Sequence, residues 1–195
     1  MAEAVVLASG SGSNFEAIVH RVRRTSHTVA SLICDQPDAL CLQRAKRLRV
    51  PSRIVHYHGR RAQAERELLA ILTEIDPDLV VLAGFMRILP AEIVTRFNGR
   101  MINIHPSILP AFPGLHAIER SFHQSDGPLG ITVHYVDAGV DTGPVIEQHS
   151  IERDGVPDVQ TAEQRIHQLE HRYYPEVVVR LLESATQKTT DGRAE

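Results

Sequence analysis

Residues 77–85, PDLVVLAGF, put apolar side chains in both phases of any strand they form. A strand with one wet face alternates apolar and polar residues; this run does not, so it must be covered on both sides. Only the middle of a mostly parallel sheet with helices on both faces offers that environment. The rest of the chain supplies matching parts. AEAVVLASG (2–10), TVASLICD (28–35) and SRIVHY (52–57) read as further strands. Between them, NFEAIVHRVRR (14–24) places Phe15, Ile18, Val19 and Val22 on one helical face, and DALCLQRAKRL (38–48) and RRAQAERELLAILTEI (60–75) follow the same period. The last of these must stop before Pro77. A short helix near 90–96 leads into MINIHPS.

From Leu129 the pattern changes. LGITVHYVD and GPVIEQHSIE are strands separated by the turn-rich AGVDTG, which predicts an antiparallel pair. A final helix is expected over 159–185, and the polar TQKTTDGRAE (186–195) is expected to be disordered. The expectation is therefore an α/β fold: an open, mostly parallel, twisted sheet with helices on both faces, Rossmann-like, with an antiparallel strand near the C-terminus. It fills one domain over 1–185, for which 195 residues suffice.

Composition narrows the partners. The formal net charge is −3, so no general basic field attracts nucleic acid. No apolar run reaches the roughly 18 residues of a membrane span. The N-terminus passes straight into strand-like residues, with neither the basic nor the apolar segment of a secretory signal. Two cysteines, Cys34 and Cys41, make no disulfide framework. A soluble, reduced, cytoplasmic protein acting on small molecules is expected.

Two stretches carry polar groups that a scaffold does not need. In ASGSGSN (8–14), glycines let backbone amides turn inward, and Ser or Asn can cap the following helix, whose N-terminus favours an anion. On spacing alone this is a phosphate site or simply a capped β–α turn; neither the P-loop nor the complete dinucleotide fingerprint is present. In INIHPSILPAFPG (102–114), Asn103 and His105 are two residues apart on a strand and so share a face. Prolines and a glycine then fix the loop at the strand's carboxyl end, where open sheets bind ligands. An amide beside an imidazole can stabilise an oxyanion and move protons, or can merely satisfy loop backbone groups. If Asp141 folds back onto His105, its carboxylate is expected to raise the imidazole pKa. His56 and His58 have metal-like spacing without a third ligand. His134 points toward the same cavity as a supporting group, and His116 lines the pocket or faces solvent. Arg21–Arg24 (RVRR) reads as a solvated helix face.

Taken in order, ASGSGSN, VVLAGFMRIL, INIHPSILPAFPG, GITVHYVDAGVDTGPVI and LEHRYYP closely resemble the phosphoribosylglycinamide formyltransferase family, folate-dependent transferases of purine biosynthesis. The resemblance runs from about residue 4 to 180. It implies catalytic roles for Asn103, His105 and Asp141, and binding of the ribonucleotide phosphate at Gly10, Ser11, Gly12, Ser13 and Asn14. Glu170 is implied at the ribose. Folate binding is implied at Met86, Arg87, Ile88 and Leu89, with Val136, Asn103 and Asp141 across from them and Arg61 toward the glutamyl tail. A cis bond is implied at Leu109–Pro110. Two departures, Ser11 for a frequent Asn and DTGPV for a Gly-Gly version, touch side chains only.

The implied reaction is transfer of the formyl group of 10-formyltetrahydrofolate, a co-substrate, to the amine of 5′-phosphoribosylglycinamide. It proceeds through a tetrahedral intermediate and without a metal. Asn103 and protonated His105 would hold the negative oxygen, at ~3–4 kcal/mol per good donor. Asp141 would keep His105 charged and relay the amine proton. The alternatives are 10-formyltetrahydrofolate hydrolase, expected to carry an extra N-terminal domain and to lack the GSGSN loop; methionyl-tRNA formyltransferase, expected to need a basic C-terminal domain; and a non-catalytic folate- or nucleotide-binding module. Monomer and homodimer remain equally open.

Overall fold

The computed structural model describes residues 1–124 and 126–191. Seven strands form one sheet: β1 (Glu3–Ala8), β2 (Thr28–Cys34), β3 (Ser52–Ile54), β4 (Leu79–Leu82), β5 (Met101–His105), β6 (Leu129–Tyr135) and β7 (Val145–Ile151). Their spatial order is β3-β2-β1-β4-β5-β6-β7. The first five are parallel, and β6 and β7 each run against their neighbour. Helices α1 (Ser13–Val22), α2 (Leu40–Leu48), α3 (Arg61–Ile75), α4 (Ala91–Arg96), α5 (Ala117–Gln124) and α6 (Val159–Asp191) make the connections and the closing layer.

The period of two along β1 divides the core. Ala4, Val6 and Ala8 join one apolar cluster with α1, α2 and α6, while Val5 and Leu7 join the other with α3 and α4. β4 is divided in the same way: Leu79 and Val81 face the first cluster, and Val80 and Leu82 the second. This is the two-sided burial that PDLVVLAGF demanded.

One buried polar contact joins α6 to the sheet. The hydroxyl of Tyr174, on a fully buried side chain, donates to the Leu82 carbonyl at 2.8 Å and lies 3.3 Å from that of Ile102. Tyr174→Phe leaves these two carbonyls short of a donor, and is expected to lower stability by about 1–2 kcal/mol in urea unfolding.

Two expectations are corrected. Neither Ser nor Asn caps α1: the helix begins at Ser13, so Ser13 and Asn14 both lie past the cap, which is Gly12, at φ 74° and with no side-chain bond. Helix α6 continues to Asp191, through residues 186–191 that were expected to be disordered. A docked helix adds residues without a new nucleation cost, and the Thr186 hydroxyl bonds back to the Leu182 carbonyl at 3.1 Å. Residues 192–195 of that expected tail lie outside the described residues. Pro175 sits within α6, where it removes one backbone donor.

Candidate active site

The chain runs outward from β1 through β2 to β3, then returns to β4 on the other side of β1. Loops leaving the carboxyl ends of β1 and β4 therefore diverge, and a crevice opens between them. Ser9 ties its two lips together: its N–H donates to the Gly84 carbonyl at 3.0 Å, and its hydroxyl accepts the Met86 N–H at 2.8 Å. Pairing of β4 with β5 ends at Leu82–Asn103, while β5 continues to His105 beside β6. Asn103 and His105 thus line a cleft of about 590 Å³ together with the segments 86–89, 114–117 and 136–141.

Asp141 folds back onto this pair. It takes the left-handed conformation (φ 54°) in the 138–143 turn, which aspartate tolerates better than most residues. One carboxylate oxygen lies 3.1 Å from His105 Nδ1 and accepts the Gly114 N–H at 2.8 Å. The other accepts from Asn103 Nδ2 at 3.3 Å and lies 3.5 Å from His134 Nε2. Burial raises the Asp141 pKa, but the surrounding His134, Gly114 N–H and His105 outweigh it and bring the value to about 2. His134 donates from Nδ1 to the Tyr135 carbonyl at 2.8 Å, which fixes the ring with Nε2 facing Asn103 and Asp141.

The other ring nitrogen of His105, Nε2, is 2.8 Å from the Phe112 carbonyl. Both partners are acceptors, so both would hold the charged form. Burial nevertheless brings the His105 pKa below the ordinary histidine value, against the Phe112 carbonyl and Asp141, which raise it. This reverses the expected raised pKa: the carboxylate is in place, and desolvation exceeds its effect.

Side chains that sequence reasoning passed over hold the loop after His105. The Thr132 hydroxyl donates to the Ser107 carbonyl at 2.7 Å and accepts the Leu109 N–H at 3.0 Å. Gln148 donates to the Leu109 carbonyl at 2.9 Å and to Thr132 Oγ1 at 2.8 Å. Arg120 clasps the carbonyls of Phe112 and Pro113. The Leu109–Pro110 bond is cis. His116 lines the cleft rim, largely exposed, 3.8 Å from Glu119.

The 10–14 loop lies at the end of β1. Gly10 and Ser11 are exposed, Gly12 turns the chain, and Asn14 Nδ2 donates to Glu170 at 2.9 Å. Asn14 Oδ1 is buried without a protein partner. Burial raises the pKa of Glu170, the group expected at the ribose. Arg44, absent from the sequence reading, donates to the Ser11 carbonyl at 2.9 Å and pairs with Glu16. Burial lowers the pKa of His171, with smaller contributions from the neighbouring His167 and Arg44.

Across the cleft, Met86 and Ile88 are 64% and 65% exposed, a high value for apolar side chains lining a concave surface. Arg87 acts as a strut for this strip. It bonds to buried Asp35 at 2.6 Å and lies over the Tyr57 ring at 4.9 Å. Leu89 and Val136 line the cleft as well. Arg61 stands apart from the lining residues, exposed on α3 and paired with Glu65 at 2.7 Å. Among the described residues no three His, Cys, Asp or Glu side chains converge on a metal position, and no helix is long and apolar enough to cross a membrane.

A family model described as formyl transferase matches residues 2–178. A curated relative, phosphoribosylglycinamide formyltransferase of Bacillus subtilis (strain 168), is 43% identical over 93% of this chain and 95% of its own length. Among solved structures, glycinamide ribonucleotide transformylase 1 of Geobacillus kaustophilus superimposes with a TM-score of 0.88 at 41% identity, covering 93% of this chain and 99% of that one. The phosphoribosylglycinamide formyltransferase of Bacillus halodurans gives a TM-score of 0.88 at 38% identity, over 94% and 96%.

Proposed function

Because the chain belongs to the formyl transferase family, we infer that it transfers a formyl group from 10-formyltetrahydrofolate to the amine of 5′-phosphoribosylglycinamide, a step of purine biosynthesis. The observation that carries this reading is the floor of the cleft, where Asp141 meets Asn103 and the Gly114 N–H and lies 3.1 Å from the His105 ring. A carboxylate that gathers donors around one point is suited to a reaction in which an oxygen becomes negative.

The cleft and the 10–14 loop at the end of the neighbouring strand β1 suit the two substrates. The 10–14 loop, at the N-terminus of α1, offers backbone donors and a favourable dipole to a phosphate, with Arg44 beside it. Glu170, held by Asn14, would accept from the ribose hydroxyls. The apolar strip of Met86, Ile88 and Leu89, facing Val136 and Val140, suits a flat heteroaromatic ring. The co-substrate supplies an activated formyl group; the protein supplies position and charge. As the amine adds to the formyl carbon, Asn103 and His105 exchange internal acceptors for the developing oxygen. Asp141 stays ionised, holds His105, and orients a water that relays the amine proton to the departing nitrogen. One domain does this, with both core clusters on a single sheet.

The test supplies 10-formyltetrahydrofolate with and without the ribonucleotide and follows folate absorbance. Absorbance should change only when the ribonucleotide is present. A change without it identifies a hydrolase, and no change in either case a binding module. His105→Ala is expected to lower turnover by about 10²–10³-fold with KM for both substrates nearly unchanged, read from steady-state kinetics. Near-normal turnover would remove His105 from the mechanism.

A further inference from the structure

Cys34 and Cys41 take no part in the chemistry described above, yet they are placed as a pair. Cys34 ends β2 and Cys41 opens α2, both side chains are fully buried, and the sulfurs are 3.4 Å apart. Cys34 Sγ receives the Cys41 thiol and, at 3.4 Å, the Gln36 N–H. The Cys41 hydrogen bond lowers the Cys34 pKa, while that bond and burial raise the pKa of Cys41. Cys34 Sγ also lies 3.2 Å from the Gln36 carbonyl, so the geometry is that of two adjacent thiols within bonding reach, as in a sensing and a resolving cysteine.

The pair is also built into the 10–14 loop. Cys41 N–H donates to the Gly10 carbonyl at 3.1 Å. The backbone of Gly12 lies so close that a Cβ there would stand 2.5 Å from Cys41 Cβ and 2.8 Å from its Cα. Joining the sulfurs needs them to close from 3.4 Å to a bond of about 2 Å, a movement shared between side-chain rotation and shifts of the two backbones. Any shift of the Cys41 backbone is passed to Gly10, through the hydrogen bond, and to Gly12, through the close contact.

We propose that Cys34 and Cys41 are an oxidative modification site: a hydroperoxide converts them to a disulfide, and the new bond loosens the 10–14 loop. The Cys34 thiolate attacks the terminal peroxide oxygen, the O–O bond breaks, and an alcohol (water, from hydrogen peroxide) leaves with a proton. Cys41 then attacks the Cys34 sulfenic sulfur; the S–S bond forms, and the departing hydroxide takes the Cys41 proton as water. The two thiols lose two electrons and two hydrogens, and the hydroperoxide is reduced by the same two electrons. Because both sulfurs are buried, the oxidant enters when the 10–12 segment opens, and a phosphate group on the loop slows the reaction.

The effect on catalysis rests on the proposed function; the oxidation and the loosening do not. The full chain is titrated with hydrogen peroxide, digested without reductant and mapped by mass spectrometry, and amide hydrogen exchange is followed in residues 10–16. The expected result is a peptide pair linked through Cys34 and Cys41, exchange faster by about tenfold or more, and reversal of both by dithiothreitol. Cys34→Ser and Cys41→Ser should show neither change. Absence of the linkage in wild type, or a linkage with unchanged exchange, overturns the proposal. The KM for the ribonucleotide should rise in the oxidised protein. A linked, loosened loop with unchanged KM would support the oxidation site and remove the loop from the phosphate-binding role.

Discussion

Asp141→Asn is expected to reduce kcat for formyl transfer by about 10³-fold or more while leaving the KM of both substrates within a few-fold. The side chains are nearly the same size, so the turn at φ 54° should survive. What changes is the pattern of donors and acceptors. The carboxylate accepts from Gly114 N–H and Asn103 Nδ2 and lies 3.1 Å from His105 Nδ1, while an amide must present an NH₂ group to some of these partners. The charge that favours imidazolium also disappears. The His105 titration point, already below the ordinary value through burial, should fall further in the variant, which NMR of the ring protons would follow. Stability gives an independent check. The Asp141 pKa is lowered to about 2, so its ionised form stabilises the fold above the ordinary carboxylate value and that contribution is lost as pH falls through about 2. The stability difference between wild type and variant should shrink over that interval. Equal turnover in the two proteins would remove Asp141 from the mechanism.

Gly12→Ala is expected to damage both the fold and the 10–14 loop. Gly12 sits at φ 74°, where an L side chain costs roughly 1–2 kcal/mol, and its Cβ would lie 2.5 Å and 2.8 Å from Cys41 Cβ and Cα. Those atoms belong to the start of a helix and cannot swing aside like the end of a long side chain. The loop or α2 must shift, for a total of about 2–4 kcal/mol. A loss of that size in urea unfolding is expected, with the KM for the ribonucleotide raised by tenfold or more and the KM for the folate substrate much less affected. Gly10→Ala is the control, since a Cβ there meets nothing within 4 Å. If both variants are equally stable, the close approach of Gly12 to Cys41 is not a constraint.

The sheet was largely legible before any coordinates, because burial on both faces leaves an unmistakable run in β4 and period-two alternation makes Asn103 and His105 neighbours. The antiparallel end was legible from the turn between β6 and β7. The supports of the site were not. Thr132 and Gln148 meet Leu109 only through pairing of β5, β6 and β7, and Arg120 reaches the Phe112 carbonyl by the fold of a loop. No periodicity records such contacts. The direction of the His105 pKa shift was misjudged because a sequence shows that a carboxylate exists but not how much water the fold removes. The α1 cap was misjudged because the helix begins at Ser13, earlier than a Ser13 or Asn14 cap requires, and Asn14 instead reaches Glu170, 156 residues away.

The dependence on α6 bears on how the protein comes into being. Strands β1 to β7 and all the residues of the cleft floor precede Val159 in the chain, yet Tyr174 bridges β4 and β5 at Leu82 and Ile102, and Glu170 holds Asn14. A chain emerging from the ribosome exposes its whole sheet before either of these side chains leaves the exit tunnel. The part of the site that Glu170 and Tyr174 support is therefore completed only when α6 docks on the sheet.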